Sequence, residues 1–192
     1  FKNTYALEDK EIEFIVSNKA LANYVENVIS ELRAWYLAEN PKGEAKEYYD
    51  DRRNITHLAV NWLVNKLLKF VYEAKQTVKD LKITPENFAE FIKLIYQDRI
   101  NSKNAQEVLA VMFHTGQDPS QIIEEKDLWQ LGTTEDIEAF AEKVINENPK
   151  QVEQYKGGKI EVMKFLIGQV MKETRGKANP QIVNQVLIHK LK

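Results

Sequence analysis

The stretch Tyr155–Leu187, YKGGKIEVMKFLIGQVMKETRGKANPQIVNQVL, decides how the chain is read. Its pattern is helix, sharp turn, helix. From Ile160 to Met171 apolar residues stand at Ile160, Val162, Met163, Phe165, Leu166, Ile167, Val170 and Met171. A surface helix shows one apolar stripe; this segment is apolar almost all round, which predicts a central, buried helix. Gly176 is expected to stop it, because glycine enters the left-handed conformation that ends helices without a Cβ penalty. Asn179-Pro180 starts the next helix, with Asn179 as N-cap and Pro180 at the first helical position, where its missing N–H costs nothing. Ile182, Val183, Val186, Leu187 and Leu191 then share one face.

Lys172, Arg175 and Lys177 crowd this turn, and Lys156 and Lys159 flank Gly157-Gly158 just upstream. Folding accounts for Gly158, Gly176 and Pro180 as turn residues. It does not account for the clustering of cations. Free N–H groups at the start of the Pro180 helix, beside Asn179, add a partial positive charge that suits a phosphate. The expected anion-binding set is therefore Lys156, Lys159, Lys172, Arg175, Lys177 and Asn179.

Working outward, the whole chain reads as helices, with no sustained period-two alternation and no Asn-Gly hairpin turn. A short helix is expected over Asp9–Val16. A longer one, capped by Ser17, carries Leu21, Tyr24, Val25, Val28, Ile29 and Leu32. Residues 40–53, NPKGEAKEYYDDRR, are polar with Pro and Gly and read as a loop. A long helix over about 54–79 places Ile55, Leu58, Ala59, Trp62, Leu63, Leu67, Phe70, Val71 and Ala74 on an apolar face. Shorter helices follow, opened by Thr84-Pro85, Ser102, Asp118-Pro119, Thr133 or Thr134, and Asn148-Pro149; a cap residue followed by proline is a strong local start signal. The fold class is all-α, in two helical domains: residues 1–82, and a compact bundle of short helices over 83–192.

Composition narrows the function. Hydrophobic residues make up 43% and charged residues 29%, which is ordinary for a globular protein. No apolar run approaches the roughly 20 residues that span a bilayer, so no membrane is expected and a cytoplasmic location is. Cysteine is absent, which excludes disulfides and thiolate metal sites. The chain opens on Phe1 and is expected to be a piece of something longer. Its net charge of −2 hides an asymmetry, since residues 149–192 hold nine Lys or Arg against three Glu. A polyanion would be drawn to that end.

Catalytic chemistry finds no support. His57, His114 and His189 do not pair at metal-ligand spacing, and no His-Glu-x-x-His occurs. The carboxylates Asp50-Asp51 and Glu124-Glu125 sit in polar segments where pKa values stay ordinary. Gly157-Gly158-Lys159 lacks the surrounding phosphate-loop pattern. Trp62 falls on an apolar face and reads as core. The expectation is no catalytic residue, no metal ligand and no cofactor.

At these residues the chain resembles a known family. MKETRGKANPQIVNQVL, ending in Lys190-Leu191, is similar to the C-terminus of the B subunit of bacterial aspartyl/glutamyl-tRNA(Asn/Gln) amidotransferase (GatB). So are Ser102-Lys103-Asn104-Ala105, Phe113-His114-Thr115-Gly116-Gln117-Asp118-Pro119, Asn146-Glu147-Asn148-Pro149 and Phe165-Leu166-Ile167-Gly168-Gln169-Val170-Met171. Asn61-Trp62-Leu63 and Leu21-Ala22-Asn23-Tyr24 match upstream, so the likeness covers nearly the full chain. The tail alone also resembles free-standing YqeY proteins. The resemblance implies a helical domain and tail that hold misacylated Glu-tRNA(Gln) or Asp-tRNA(Asn). A catalytic domain outside this sequence would use ATP and magnesium to phosphorylate the substrate carboxylate. Ammonia from a separate amidase (A) subunit, in a complex with a small C subunit, would displace the phosphate; the parent complex would be a glutamine-dependent carbon–nitrogen ligase. The alternative is a helical protein-interaction module whose basic patch meets an acidic partner.

Overall fold

The structure, a computed structural model, describes residues 9–39 and 55–191. The polar stretch 40–53, with Asp50-Asp51, lies outside the described residues. Among those described, every regular element is a helix, and one isolated parallel bridge joins Leu131 to Ala178. The fold class is all-α. The chain forms two compact units, residues 1–97 with 102–127, and residues 98–101 with 128–192.

The first unit holds α1 (Asp9–Val16), α2 (Lys19–Glu39), α3 (55–73), α4 (Pro85–Tyr96), α5 (Ser102–Thr115) and α6 (Pro119–Glu125). Asn18, not Ser17, caps α2. Its Oδ1 accepts from the N–H groups of Ala20 and Leu21 at 3.0 and 3.2 Å, while the Ser17 hydroxyl turns back to the Phe14 carbonyl. The long helix expected to reach residue 79 instead contains a π turn at Leu63–Leu67 and ends at Glu73. Lys75 takes a left-handed φ of 53° there, and the Gln76 N–H closes the end on the Val71 carbonyl at 2.9 Å. No glycine announces that stop.

Aromatic packing decides which helices share this unit. Phe88 and Phe91 of α4 are fully buried. Phe88 meets Tyr24 of α2 at 6.2 Å between ring centroids, and Phe91 meets Trp62 of α3 edge-on at 5.3 Å. Packing thus groups α4, α5 and α6 with the long helices, whereas the division expected at residues 82 and 83 follows the change in sequence style. Tyr24 donates to the Ile83 carbonyl at 3.2 Å, and burial pushes its phenol well above the usual range.

The second unit holds α7 (Thr134–Glu147), α8 (Pro149–Lys156), α9 (Val162–Glu173) and α10 (Pro180–Leu191). Its core gathers Ile137, Ala141 and Val144 of α7, Leu166 and Val170 of α9, and Val183 and Leu187 of α10. Thr133 caps α7 in a reciprocal box with Asp136. Thr133→Ala removes the oxygen that receives the Asp136 N–H and is expected to cost about 1 kcal/mol, read as a lower denaturant midpoint at unchanged slope.

Helix α9 departs from its expected central, buried place. Met163, Leu166 and Val170 are buried, but Phe165 is 42% exposed and Ile160, just ahead of the helix, is 75% exposed. Its packing partners α7, α8 and α10 leave one side of it uncovered. The closing turn differs too. Arg175 already takes the left-handed conformation at φ 53°, and Gly176 follows at φ 77°. The Gly176 N–H reaches the Met171 carbonyl at 2.8 Å, so an arginine occupies the helix-ending position assigned to glycine.

Candidate nucleic-acid interface

Each expected site residue falls in the second unit, and the structure divides them between the two ends of α9. Lys156 is the last residue of α8, and Lys159 lies in the connection to α9, where Gly158 has φ 95°. Both lysines are exposed. Lys172, in the last turn of α9, and Arg175 are exposed at the other end. Twelve residues of α helix separate the two ends, a rise of about 18 Å. The cations are thus a strip along α9 rather than one rim around a turn.

The turn that closes α9 is tied into the fold. The Lys177 carbonyl accepts from the Leu131 N–H at 2.8 Å, and the Asn179 N–H donates to the Leu131 carbonyl at 3.3 Å. Asn179 is 9% exposed, and its Oδ1 accepts from the Gln181 N–H at 2.9 Å, the cap expected of it. Pro180 opens α10 as its first residue. The Gly176 carbonyl accepts from the Asn101 amide at 3.1 Å, which fixes the turn between Arg175 and Lys177.

Charge within the unit is more balanced than the sequence split implies. Helix α7 carries Glu135, Asp136, Glu138, Glu142 and Glu147 against the single Lys143. Lys190 is held by Glu142 at 2.6 Å and Glu138 at 3.6 Å, and Lys143 by Glu173 at 2.5 Å. Hydrogen bonds to Glu142 and to Glu173, respectively, raise both ammonium groups above the ordinary lysine range. Such pairs, at or near the surface, add little stability, but they withdraw two cations from any external ligand. Among the described residues, Lys156, Lys159, Lys164, Lys172 and Arg175 make no ion pair. Lys164 is the cation that the sequence reading misses; its signal is its place four residues before Gly168 and eight before Lys172.

Elsewhere the structure offers little chemistry. A cleft in the first unit of about 200 Å³ is lined by Glu31, Leu32, Trp35, Glu86, Ala89, Glu90 and Lys93. Lys93 lies 5.0 Å from the Trp35 ring centroid and pairs with Glu39 at 3.0 Å. Burial pushes the Glu90 carboxyl up, while the Ser120 hydroxyl donates to it. Among the described residues, no three His, Asp or Glu side chains are placed to hold a metal ion. No described helix is long and apolar enough to cross a membrane.

The family model described as the GatB domain matches residues 44–191. Over 191 residues the chain is 37% identical to the B subunit of the aspartyl/glutamyl-tRNA(Asn/Gln) amidotransferase of Rickettsia canadensis, covering 100% of this chain and 35% of that protein. The corresponding amidotransferase protein of Clostridium beijerinckii is 32% identical over 191 residues, covering 100% of this chain and 36% of its own length. The chain spans about a third of the length of the curated relatives it matches.

Proposed function

Because the chain belongs to the GatB domain family, we propose that it is the tRNA-holding, non-catalytic part of an amidotransferase B subunit. It would grip misacylated Glu-tRNA(Gln) or Asp-tRNA(Asn) while amidation proceeds elsewhere. The observation that carries this reading is the strip of exposed cations along α9 and at its ends, Lys156, Lys159, Lys164, Lys172 and Arg175, which make no ion pair among the described residues and lie within the residues the family model matches. Folded RNA is held largely by shape, phosphate and 2′-hydroxyl contacts, which a strip of separate cations supplies without a base-reading pocket. In this reading ATP, magnesium and the phosphorylated intermediate belong to the part of the relatives that this chain does not span. The A and C subunits meet the full-length protein.

The test is a gel shift of the chain with tRNA(Gln) and tRNA(Asn) over a salt series, with heparin as competitor. The triple variant Lys172→Ala, Arg175→Ala, Lys177→Ala is expected to weaken binding about tenfold at low salt, and to flatten the salt slope by about 0.7–0.9 per lost phosphate contact. An unchanged dissociation constant and slope would remove the reading.

A further inference from the structure

We propose that the uncovered face of α9, formed by Lys164, Phe165, Gly168 and Lys172, is a seat for the ribose–phosphate backbone of folded RNA, with Gly168 as its floor. This rests on the tRNA-holding reading and names where on the unit the RNA sits.

Gly168 carries the argument. It stands in the middle of α9, where glycine costs helix stability relative to alanine. Glycine is justified in such a place by a positive φ or by a neighbour that leaves no room for a Cβ. Neither holds here: a Cβ built on Gly168 meets no atom within 4 Å, and Gly168 is not among the positive-φ glycines. Nothing in the fold asks for this glycine, so the demand comes from outside. Omitting the Cβ lets an external backbone lie closer to the helix than any other residue permits.

The surroundings of Gly168 identify what approaches. Lys164 and Lys172 stand four residues before and after it, on the same face and both exposed; the two are about 12 Å apart along the axis. Neither makes an ion pair among the described residues. Phe165, three residues before Gly168, keeps 42% of its surface exposed. Glu161, exposed ahead of the first turn, is the acidic group on this side, and Gln169 is half-exposed at its edge. Two cations flanking a bare backbone suit a strand carrying repeated negative charge. An exposed aromatic ring among them suits the sugar or base of that strand. A polyanionic backbone fits all four residues, whereas an apolar partner would leave both lysines without purpose.

Gly168→Ala separates this role from a structural one. The variant is expected to melt about 2–4 °C higher than the parent chain, since it restores helix propensity, and yet to bind tRNA about tenfold more weakly. Phe165→Ala, on an exposed position, is expected to keep the parent melting point and lose about tenfold in binding. The control Lys156→Ala, Lys159→Ala lies off this face. If the parent binds tRNA and the control weakens it while Gly168→Ala and Phe165→Ala bind as the parent does, the seat is wrong and the tRNA-holding reading stands. If the parent binds tRNA no better than heparin, both fall. Loss of polyglutamate binding in Gly168→Ala with tRNA binding intact assigns the face to an acidic polypeptide and overturns the proposal.

Discussion

Phe91→Ala is expected to destabilise the first unit by about 3–5 kcal/mol, the range for emptying a buried aromatic site. Phe91 is fully buried. It stands edge-on to Trp62 at 5.3 Å and 6.0 Å from Phe88, so its removal takes away two aromatic contacts as well as its own buried surface. Domains of this size are stable by only about 5–15 kcal/mol in total. One truncation on α4 therefore removes a large part of what holds α2, α3 and α4 together. The Phe165→Ala change on α9 is the same chemical deletion at a 42% exposed site and is expected to cost under about 0.5 kcal/mol. Denaturant titration followed by tryptophan fluorescence compares the two. Similar midpoints for both variants would mean that the aromatic cluster collapses around the gap, and that burial does not set the cost here.

The contrast between those phenylalanines marks where a sequence of this kind can and cannot be read. Helix starts are legible because caps are local chemistry: Thr84-Pro85 and Asp118-Pro119 each place a side-chain oxygen on an N–H three residues on, at 3.2 and 3.0 Å. Helix ends are less so. Lys75, Asp98, Asp127 and Arg175 all take φ of 53° without glycine, and a left-handed lysine or arginine leaves no mark in composition. Phe165 reads as core in an apolar run because the run says nothing of how many neighbours arrive to cover it. The cationic turn is visible as a cluster, but a linear count cannot show Lys190 and Lys143 engaged by Glu142 and Glu173. Nor can it separate Lys156 and Lys159 from Lys172 by the length of α9. Gly168 sits within a family-like motif, yet its openness is a three-dimensional fact.

Gly116 and Gly176 share a left-handed backbone, at φ 75° and 77°, and differ in what stands beside them. A Cβ on Gly176 would meet nothing within 4 Å, so Gly176→Ala carries only the conformational penalty, expected at about 1–2 kcal/mol. A Cβ on Gly116 would lie 3.0 Å from the Lys82 Cβ and 3.1 Å from the Lys82 carbonyl oxygen. That oxygen is backbone and cannot swing aside. Shifting Lys82 would also strain its ammonium contact with the His114 carbonyl at 2.8 Å, and the Gly116 N–H is itself tied to the Met112 carbonyl at 2.7 Å. Overpacking therefore adds to conformation, and Gly116→Ala is expected to cost about 3–4 kcal/mol in all. The ranking is sharper than either figure: Gly116→Ala melts lowest, Gly176→Ala next, the parent above both, and Gly168→Ala above the parent. Gly176→Asn should recover part of the loss, since asparagine tolerates the left-handed region. Equal melting points for the Gly116 and Gly176 variants would show that the approach of Lys82 relaxes at no cost and that backbone handedness alone governs both turns.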